Sequence, residues 1–554
     1  MSQSVFANVA AHLPEMARLQ PDSPAIHIPQ GCDAQQQTVY RQYSFSELDR
    51  ESNRMAQALE SIGIRRGVRT VLMVPPGFEF FALTFALFKT GAVPVLVDPG
   101  MGIKNLKTCL AEAEPAAFIG IPKAHLARLL FGWGRPTVRI LLTVGRRFWG
   151  GTTLEKLLQT VAPDQPYQTV ETETDDTAAI LFTSGSTGVP KGALYSHGNF
   201  SAQVETLRRV YDIRPGEVDL PTFPLFALFA PALGMTSVVP EMDFTRPADV
   251  DPVRIVAAIE RFQITTMFGS PALINRVGRH GAAQKIKLPS LKRAISAGAP
   301  VPAPVLERFA GMLSDEAEVF TPYGATEALP VCSIGSREIL GETRAATDRG
   351  QGVCVGRPVP GLELEIIAIT DAPIAEWDAA LKLGTGEIGE IIVKGPQVTR
   401  SYYNRAESTR LAKIADPEDG GVYHRMGDLG YRDGQGRIWF CGRKAHRVVT
   451  ADQTLFTIPC EAIFNTHQAV FRSALVGVGP APPQRPVLCV ELEKETGAVA
   501  SEELRQELLR LGAGQELTRS IKTILFHPSF PVDIRHNAKI FREKLAIWAT
   551  EQLS

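Results

Sequence analysis

Apolar and polar positions fall into two rhythms along this chain. Short β-branched and apolar runs, "RTVLMVPP", "AVPVLVDP", "AAFIGIP" and "AAILFTSG", have the length and composition of buried strands, and segments with helical spacing separate them. The segment "SFSELDRESNRMAQALESIG" puts Leu48, Met55, Leu59 and Ile62 on one face, with Ser44 or Ser46 as N-cap and Gly63 as its close. Strand and helix in alternation predict layered parallel α/β structure. After residue 350 closely spaced strands with glycine turns take over, "GLELEIIAI", "GEIGEIIVKGP" and "GRIWFCGR", which predict a small β-rich subdomain. From about residue 446 strand patterns mix with helices such as "SEELRQELLRLG" and "HNAKIFREKLAIWATEQL". We therefore expect an α/β fold with a large N-terminal domain, 1–444, whose part 350–444 is β-rich, and a small α+β C-terminal domain, 445–554.

One apolar stretch needs separate treatment. Leu220 to Pro240, "LPTFPLFALFAPALGMTSVVP", is uncharged and long enough to cross a bilayer. Its four prolines would break the hydrogen bonding on which a lone spanning helix depends, so it is expected to be protein interior and not an integral membrane span.

At 554 residues the chain exceeds one ordinary core, which also points to at least two domains. Lys and Arg number 58 against 59 Asp and Glu, a net charge of -1, so the broad positive footprint of nucleic-acid or anionic-membrane binding is not expected. The seven cysteines are scattered and never in CxxC spacing, which predicts neither a disulfide frame nor a zinc site and fits a reducing cytoplasm. The first twenty residues show no secretory signal pattern.

The chemistry begins in "LFTSGSTGVPKGALYSHGNF", residues 181–200. The small residues Thr183, Ser184, Gly185, Ser186, Thr187 and Gly188 let successive backbone N–H groups turn inward as a nest for phosphate oxygens, with hydroxyls and the Lys191 ammonium as further donors. A Walker A loop is excluded by spacing, since Lys191 lies between Pro190 and Gly192.

This stretch resembles the phosphate loop of the adenylate-forming superfamily of acyl-CoA ligases, peptide-synthetase adenylation domains and luciferase. Further segments resemble the superfamily's motifs in order: "ISAGAP" with Gly298, Ala299 and Pro300; "PYGATE" with Tyr323, Gly324, Ala325, Thr326 and Glu327; "YHRMGDLGYRDGQGRIWFCGR" with Asp428 and Arg443; and "RHNAKIFREKL" with Lys539. The resemblance covers nearly the whole chain. It implies the adenylate-forming fold with a mobile C-terminal domain, ATP and Mg2+ as cofactors, and a set of roles. Tyr323 stacks on adenine, Thr326 lies near the α-phosphate, Glu327 ligates magnesium, and Lys191 and the loop hold the outer phosphates. Asp428 binds ribose beside Arg443, and Lys539 bridges carboxylate and α-phosphate, delivered by rotation about a hinge at Ala445. Many relatives carry Asp or Lys at the hinge, so Ala445 is a departure.

Two further departures bear on the acyl product. The stretch after the hinge, "RVVTADQTLFTIPCEAIF", lacks the glycine-containing loop that lines the thiol tunnel of acyl-CoA ligases, and Ala227 in "PLFALF" replaces the usual aromatic gate. Within the superfamily the chain resembles the β-lactone synthetases of bacterial long-chain olefin biosynthesis. That resemblance implies a long-chain 2-alkyl-3-hydroxyalkanoic acid as substrate, its own 3-hydroxyl closing the ring, and assembly with a pathway reductase and a hydrolase-type decarboxylase. Phe223, Leu225, Phe226, Ala227, Leu228 and Phe229 are expected to line part of the acyl pocket. The alternatives are a long-chain acyl-CoA ligase, an acyl-AMP ligase, or a non-catalytic scaffold or acyl-binding protein. His197 is the nearest candidate base by sequence, weighed against a structural role, and no base is assigned.

Overall fold

The computed structural model describes residues 7–554 apart from 36, 148, 183–189, 224–227, 495–496 and 533–538. Two seven-stranded sheets frame the chain as far as Phe320. In one the spatial order is Thr152–Thr153, Ile140–Thr143, Ala117–Gly120, Arg69–Met73, Val93–Leu96, Thr177–Phe182 and Gly192–Ser196, parallel except for the last pair. In the other it is Glu318–Phe320, Arg293–Ile295, Thr266–Phe268, Val218–Pro221, Thr236–Val238, Pro24–Cys32 and Thr38–Ser44, again parallel until the last pair. Ala117–Gly120 is buried at every position, which is why it reads as an unbroken apolar run and not as an alternation.

The helix Phe45–Ser61 starts where its serines predict. Of the two candidates, Ser44 is the cap: its side chain accepts from the Glu47 amide while the Glu47 carboxylate accepts from the Ser44 amide at 2.7 Å. Leu48, Met55 and Leu59 are buried, and the chain leaves the helix through Gly63 at φ +91°.

Leu220–Pro240 is not one helix. The strands Val218–Pro221 and Thr236–Val238 lie side by side in the second sheet, with the one-turn helix Phe229–Ala232 between them in sequence. Among the described residues no helix is long and apolar enough to cross a membrane.

The third large sheet is antiparallel and runs Tyr323–Ala325, Ala328–Ser333, Val353–Pro358, Ile438–Arg443, Val422–Arg432, Gly389–Lys394 and Glu363–Ile367. It thus takes in two strands upstream of residue 350, where the sequence texture changes; short strands such as "YGA" carry no β-branched signal of their own. Beyond Ala445, which is exposed in the turn Lys444–His446, the strands Val470–Val478, Arg485–Leu492 and Ile524–Phe526 pack with the helices Thr457–Phe464, Glu502–Ala513 and Arg542–Leu553. Their apolar side chains form two clusters made entirely of residues from Val448 onward. Polar contacts cross the turn: Lys444 Nζ donates to Glu390 at 3.1 Å and Arg447 Nη2 to Asp371 at 2.6 Å.

Candidate active site

Two backbone seams draw distant segments together. The strand leaving the glycine-rich loop pairs with 401–403, Leu194 N donating to Ser401 O and Tyr403 N to Gly192 O. Ala328 bridges Val398, and the Thr399 amide and hydroxyl both donate to the Glu327 carbonyl, at 2.9 and 3.2 Å. Lys191 and Glu327 consequently meet across one residue that sequence reasoning did not find, Tyr402. Its hydroxyl donates to Glu327 Oε1 at 2.6 Å, and Lys191 Nζ lies 5.2 Å from its ring centroid. A phenol donating to the carboxylate fixes the rotamer of Glu327 while leaving its other lone pairs open. Thr326 is tied in through its carbonyl, which accepts from the Tyr195 hydroxyl.

Behind this group Lys413 is buried. Its ammonium donates to the Thr399 carbonyl and, at 3.3 Å, to the Thr399 hydroxyl. Desolvation pulls its pKa down to about 7 against the opposing charge of Glu327. Lys413 therefore braces the segment that holds the Glu327 backbone.

A second cluster forms from the sheet register that sets Asp428 opposite Arg443. Asp428 Oδ1 accepts from Arg443 Nη1 at 2.8 Å, and Oδ2 accepts from the Tyr323 hydroxyl at 2.6 Å. Burial, and then the Asp428 charge, push the Tyr323 hydroxyl upward, so it stays a donor. Each Asp428 oxygen keeps a lone pair for a further donor. The adjoining Gly324 tolerates no side chain, since a Cβ there would stand 2.7 Å from the Ala328 carbonyl. Gly298, with φ +97°, turns the loop through Ala299 and Pro300 that follows the strand Arg293–Ile295.

Next to these segments lies an apolar cavity of about 70 Å³. Ala297 and Pro322, each one residue from the loops just described, form one part of its wall; Phe229, Phe268 and Leu233 form another. Phe223 stands 6.5 Å from Phe268, ring to ring, whereas Leu228 packs against the N-terminal core. Asp219 also lines the cavity. Burial pushes its carboxyl up to about 8 against the pull of the Arg293 guanidinium, so it is protonated at neutral pH. A charged residue type one position before the uncharged stretch was the available signal.

Other expected residues fall elsewhere. His197 is buried, its Nδ1 accepts the Val9 amide at 3.3 Å, and burial pulls its pKa down to about 4; this is a packing role. Lys539 lies half-buried in the C-terminal unit beside Ile540, which bridges Val532. Thr183 to Gly188, Leu225, Phe226 and Ala227 lie outside the described residues.

Residues 13–403 match the family described as AMP-binding enzyme. The chain is 52% identical over 553 residues to the olefin beta-lactone synthetase of Xanthomonas campestris pv. campestris, covering 99% of this chain and 98% of the relative. It is 52% identical over 556 residues to the olefin beta-lactone synthetase of Stenotrophomonas maltophilia, with the same coverage. Among solved structures, ATP-bound MatB from Rhodopseudomonas palustris superposes with a TM-score of 0.78 at 22% identity, over 99% of this chain and all of that one, a likeness of fold.

Proposed function

Because the chain belongs to the AMP-binding enzyme family, we propose that it is an ATP-dependent β-lactone synthetase acting on long-chain 2-alkyl-3-hydroxyalkanoic acids in olefin biosynthesis. The observation that carries the reading is the full-length 52% identity to two synthetases of that name. The meeting of Lys191, Glu327 and Tyr402 beside Tyr323, Asp428 and Arg443 supplies a site suited to the reaction.

In the first step a carboxylate oxygen attacks the α-phosphorus of ATP and diphosphate leaves. Both partners are anionic, so the site must hold them in line and offset their charge. Tyr323 offers a face to adenine, the free lone pairs of Asp428 accept from the ribose hydroxyls, and Lys191 with the loop 183–188 cradles the outer phosphates. Glu327 fits Mg2+, a hard cation that usually takes one or two carboxylates with the phosphates completing its shell; it would neutralise phosphate charge there. Lys539 arrives by rotation of the unit 445–554 about Ala445 and places its charge between carboxylate and α-phosphate. In the second step the 3-hydroxyl oxygen bonds to the acyl carbon, the acyl–phosphate bond breaks, and AMP and the hydroxyl proton leave. The cavity beside Ala297 receives alkyl chain, and Ala227 in place of an aromatic gate gives room for a branch at C2. We place the enzyme in the cytoplasm, in keeping with its seven free cysteines, and in company with a reductase and a hydrolase-type decarboxylase that handle the same insoluble chains.

The test is incubation of the purified protein with MgATP and a synthetic 2-alkyl-3-hydroxy acid without thiol. Carbon NMR should show a β-lactone with AMP released in equal amount. A product that forms only with CoA, as a CoA ester, would turn the assignment to an acyl-CoA ligase. Lys539→Ala should lower AMP formation at least about a hundredfold; an unchanged rate would remove Lys539 from the adenylation step.

A further inference from the structure

The helix Pro122–Phe131, "PKAHLARLLF", is turned unusually. Its buried residue is His125, stacked at 5.0 Å on Trp149, while Leu126, Leu129 and Leu130 are 52, 54 and 70% exposed. Spaced i, i+3 and i+4, these leucines share one outward face, with Phe131 at its edge. The surrounding charge is one-sided. Between Glu114 and Glu155 there is no acidic residue and there are six basic ones, in a chain whose net charge is -1. Lys123, Arg135, Arg139, Arg146 and Arg147 are exposed; Arg128 instead lies half-buried over the Phe118 ring.

The topology distributes these cations around the leucines. Strands Ala117–Gly120 and Ile140–Thr143 are parallel neighbours, so the segment after the second emerges beside the start of the helix that follows the first. A Cβ on Gly145 would lie 3.7 Å from Pro122 Cδ, which sets Arg146 and Arg147 near Lys123 at the helix start. Arg135 and Arg139 follow the helix end. An apolar face bordered at both ends by cations has the makeup of an element that lies in a bilayer interface, its leucines at the acyl boundary and its cations on lipid phosphates.

We propose that this face docks the protein peripherally on anionic lipid membranes. The near-neutral whole-chain charge conceals the patch, because the compensating acids lie elsewhere in the sequence. A bilayer is favoured over a protein partner because the exposed charges of the segment 115–154 are all of one sign, whereas a mixed protein interface would use acidic residues as well.

Co-sedimentation of the full-length protein with sucrose-loaded vesicles tests this. Vesicles of phosphatidylglycerol and phosphatidylcholine should pellet the protein, pure phosphatidylcholine should not, and binding should weaken as salt rises. L129E/L130E should remain in the supernatant, and K123Q/R146Q should bind roughly fivefold more weakly for each charge removed. Because all four positions are on the surface, both variants should keep the wild-type melting temperature and rate of diphosphate release. Wild-type protein that stays in the supernatant would overturn the proposal and turn attention to a protein partner. Equal pelleting on neutral vesicles, or wild-type binding by L129E/L130E, would overturn it as well.

Discussion

Asp219→Asn isolates one buried proton. Asp219 is 8% exposed, in a strand flanked by two others, and it faces an apolar cavity. The guanidinium that could offset its charge, Arg293, is already engaged by Glu217, with Nη2 to Oε1 at 3.3 Å, and by Thr266 at 2.7 Å. The folded carboxyl therefore titrates at about 8, whereas in the unfolded chain it titrates near 3.9. Between these values the folded protein retains a proton that the unfolded chain has released. Asp219 is thus neutral toward stability below about pH 4, and it costs about 1.4 kcal/mol more for each pH unit up to about 8, where the cost levels off. The carboxamide of the variant has no such proton to lose. The stability of the variant relative to wild type should rise by about 2.7 kcal/mol between pH 5 and pH 7. An unfolding entropy of roughly 2 cal/mol/K per residue makes 1 kcal/mol worth roughly 1 °C in a domain of this length, so the melting temperatures should diverge by roughly 3 °C over that interval. Calorimetric melts of both proteins at unit steps from pH 5 to 9 measure this. An offset that stays constant across the series would mean that Asp219 is ionised in the folded protein, and the reasoning from its burial would be wrong.

Three other outcomes follow from the geometry. Tyr402→Phe removes the donor that orients Glu327; a charge-assisted bond of about 1.5–3 kcal/mol makes a roughly ten- to hundredfold loss in kcat/KM for MgATP the expected result in a diphosphate-exchange assay. Arg425→Met leaves Glu390 buried with only Lys444 beside it, where now Arg425 and Glu390 are 3% and 1% exposed and pair at 2.6 Å; unfolding by denaturant should show a loss of about 3 kcal/mol, and a loss under about 1 kcal/mol would show that Lys444 suffices. Ala227→Phe should lower turnover of 2-alkyl-branched acids more than that of straight-chain acids, read as the ratio of initial rates; equal losses would remove Ala227 from the branch pocket.

The sequence carried the fold class because its signals are local. A capping box needs only Ser44 and Glu47 three residues apart, and a buried parallel strand announces itself by its own apolar run. The site residues that it exposed are those on glycine-rich loops with fixed internal spacing, such as Tyr323 to Glu327. Tyr402, Thr399, Lys413 and Asp219 were not legible, since each acquires its role from a partner far away in the chain. Tyr402 matters because a seam of backbone bonds sets it between Lys191 and Glu327, and Asp219 because a cavity closes over it. His197 shows the converse: beside the phosphate loop in sequence, it is turned inward to the Val9 amide.

By itself, then, the order of residues determined the layered architecture, the turn-forming loops and the identities of the charges proposed to meet a nucleotide. The tertiary structure alone decided which of those charges share a site, which are stripped of water, and which apolar side chains are left facing out, as on the helix Pro122–Phe131. The physical reason is that propensity and turn chemistry act within a few residues, whereas desolvation and Coulomb interactions depend on distances that only the packed chain sets.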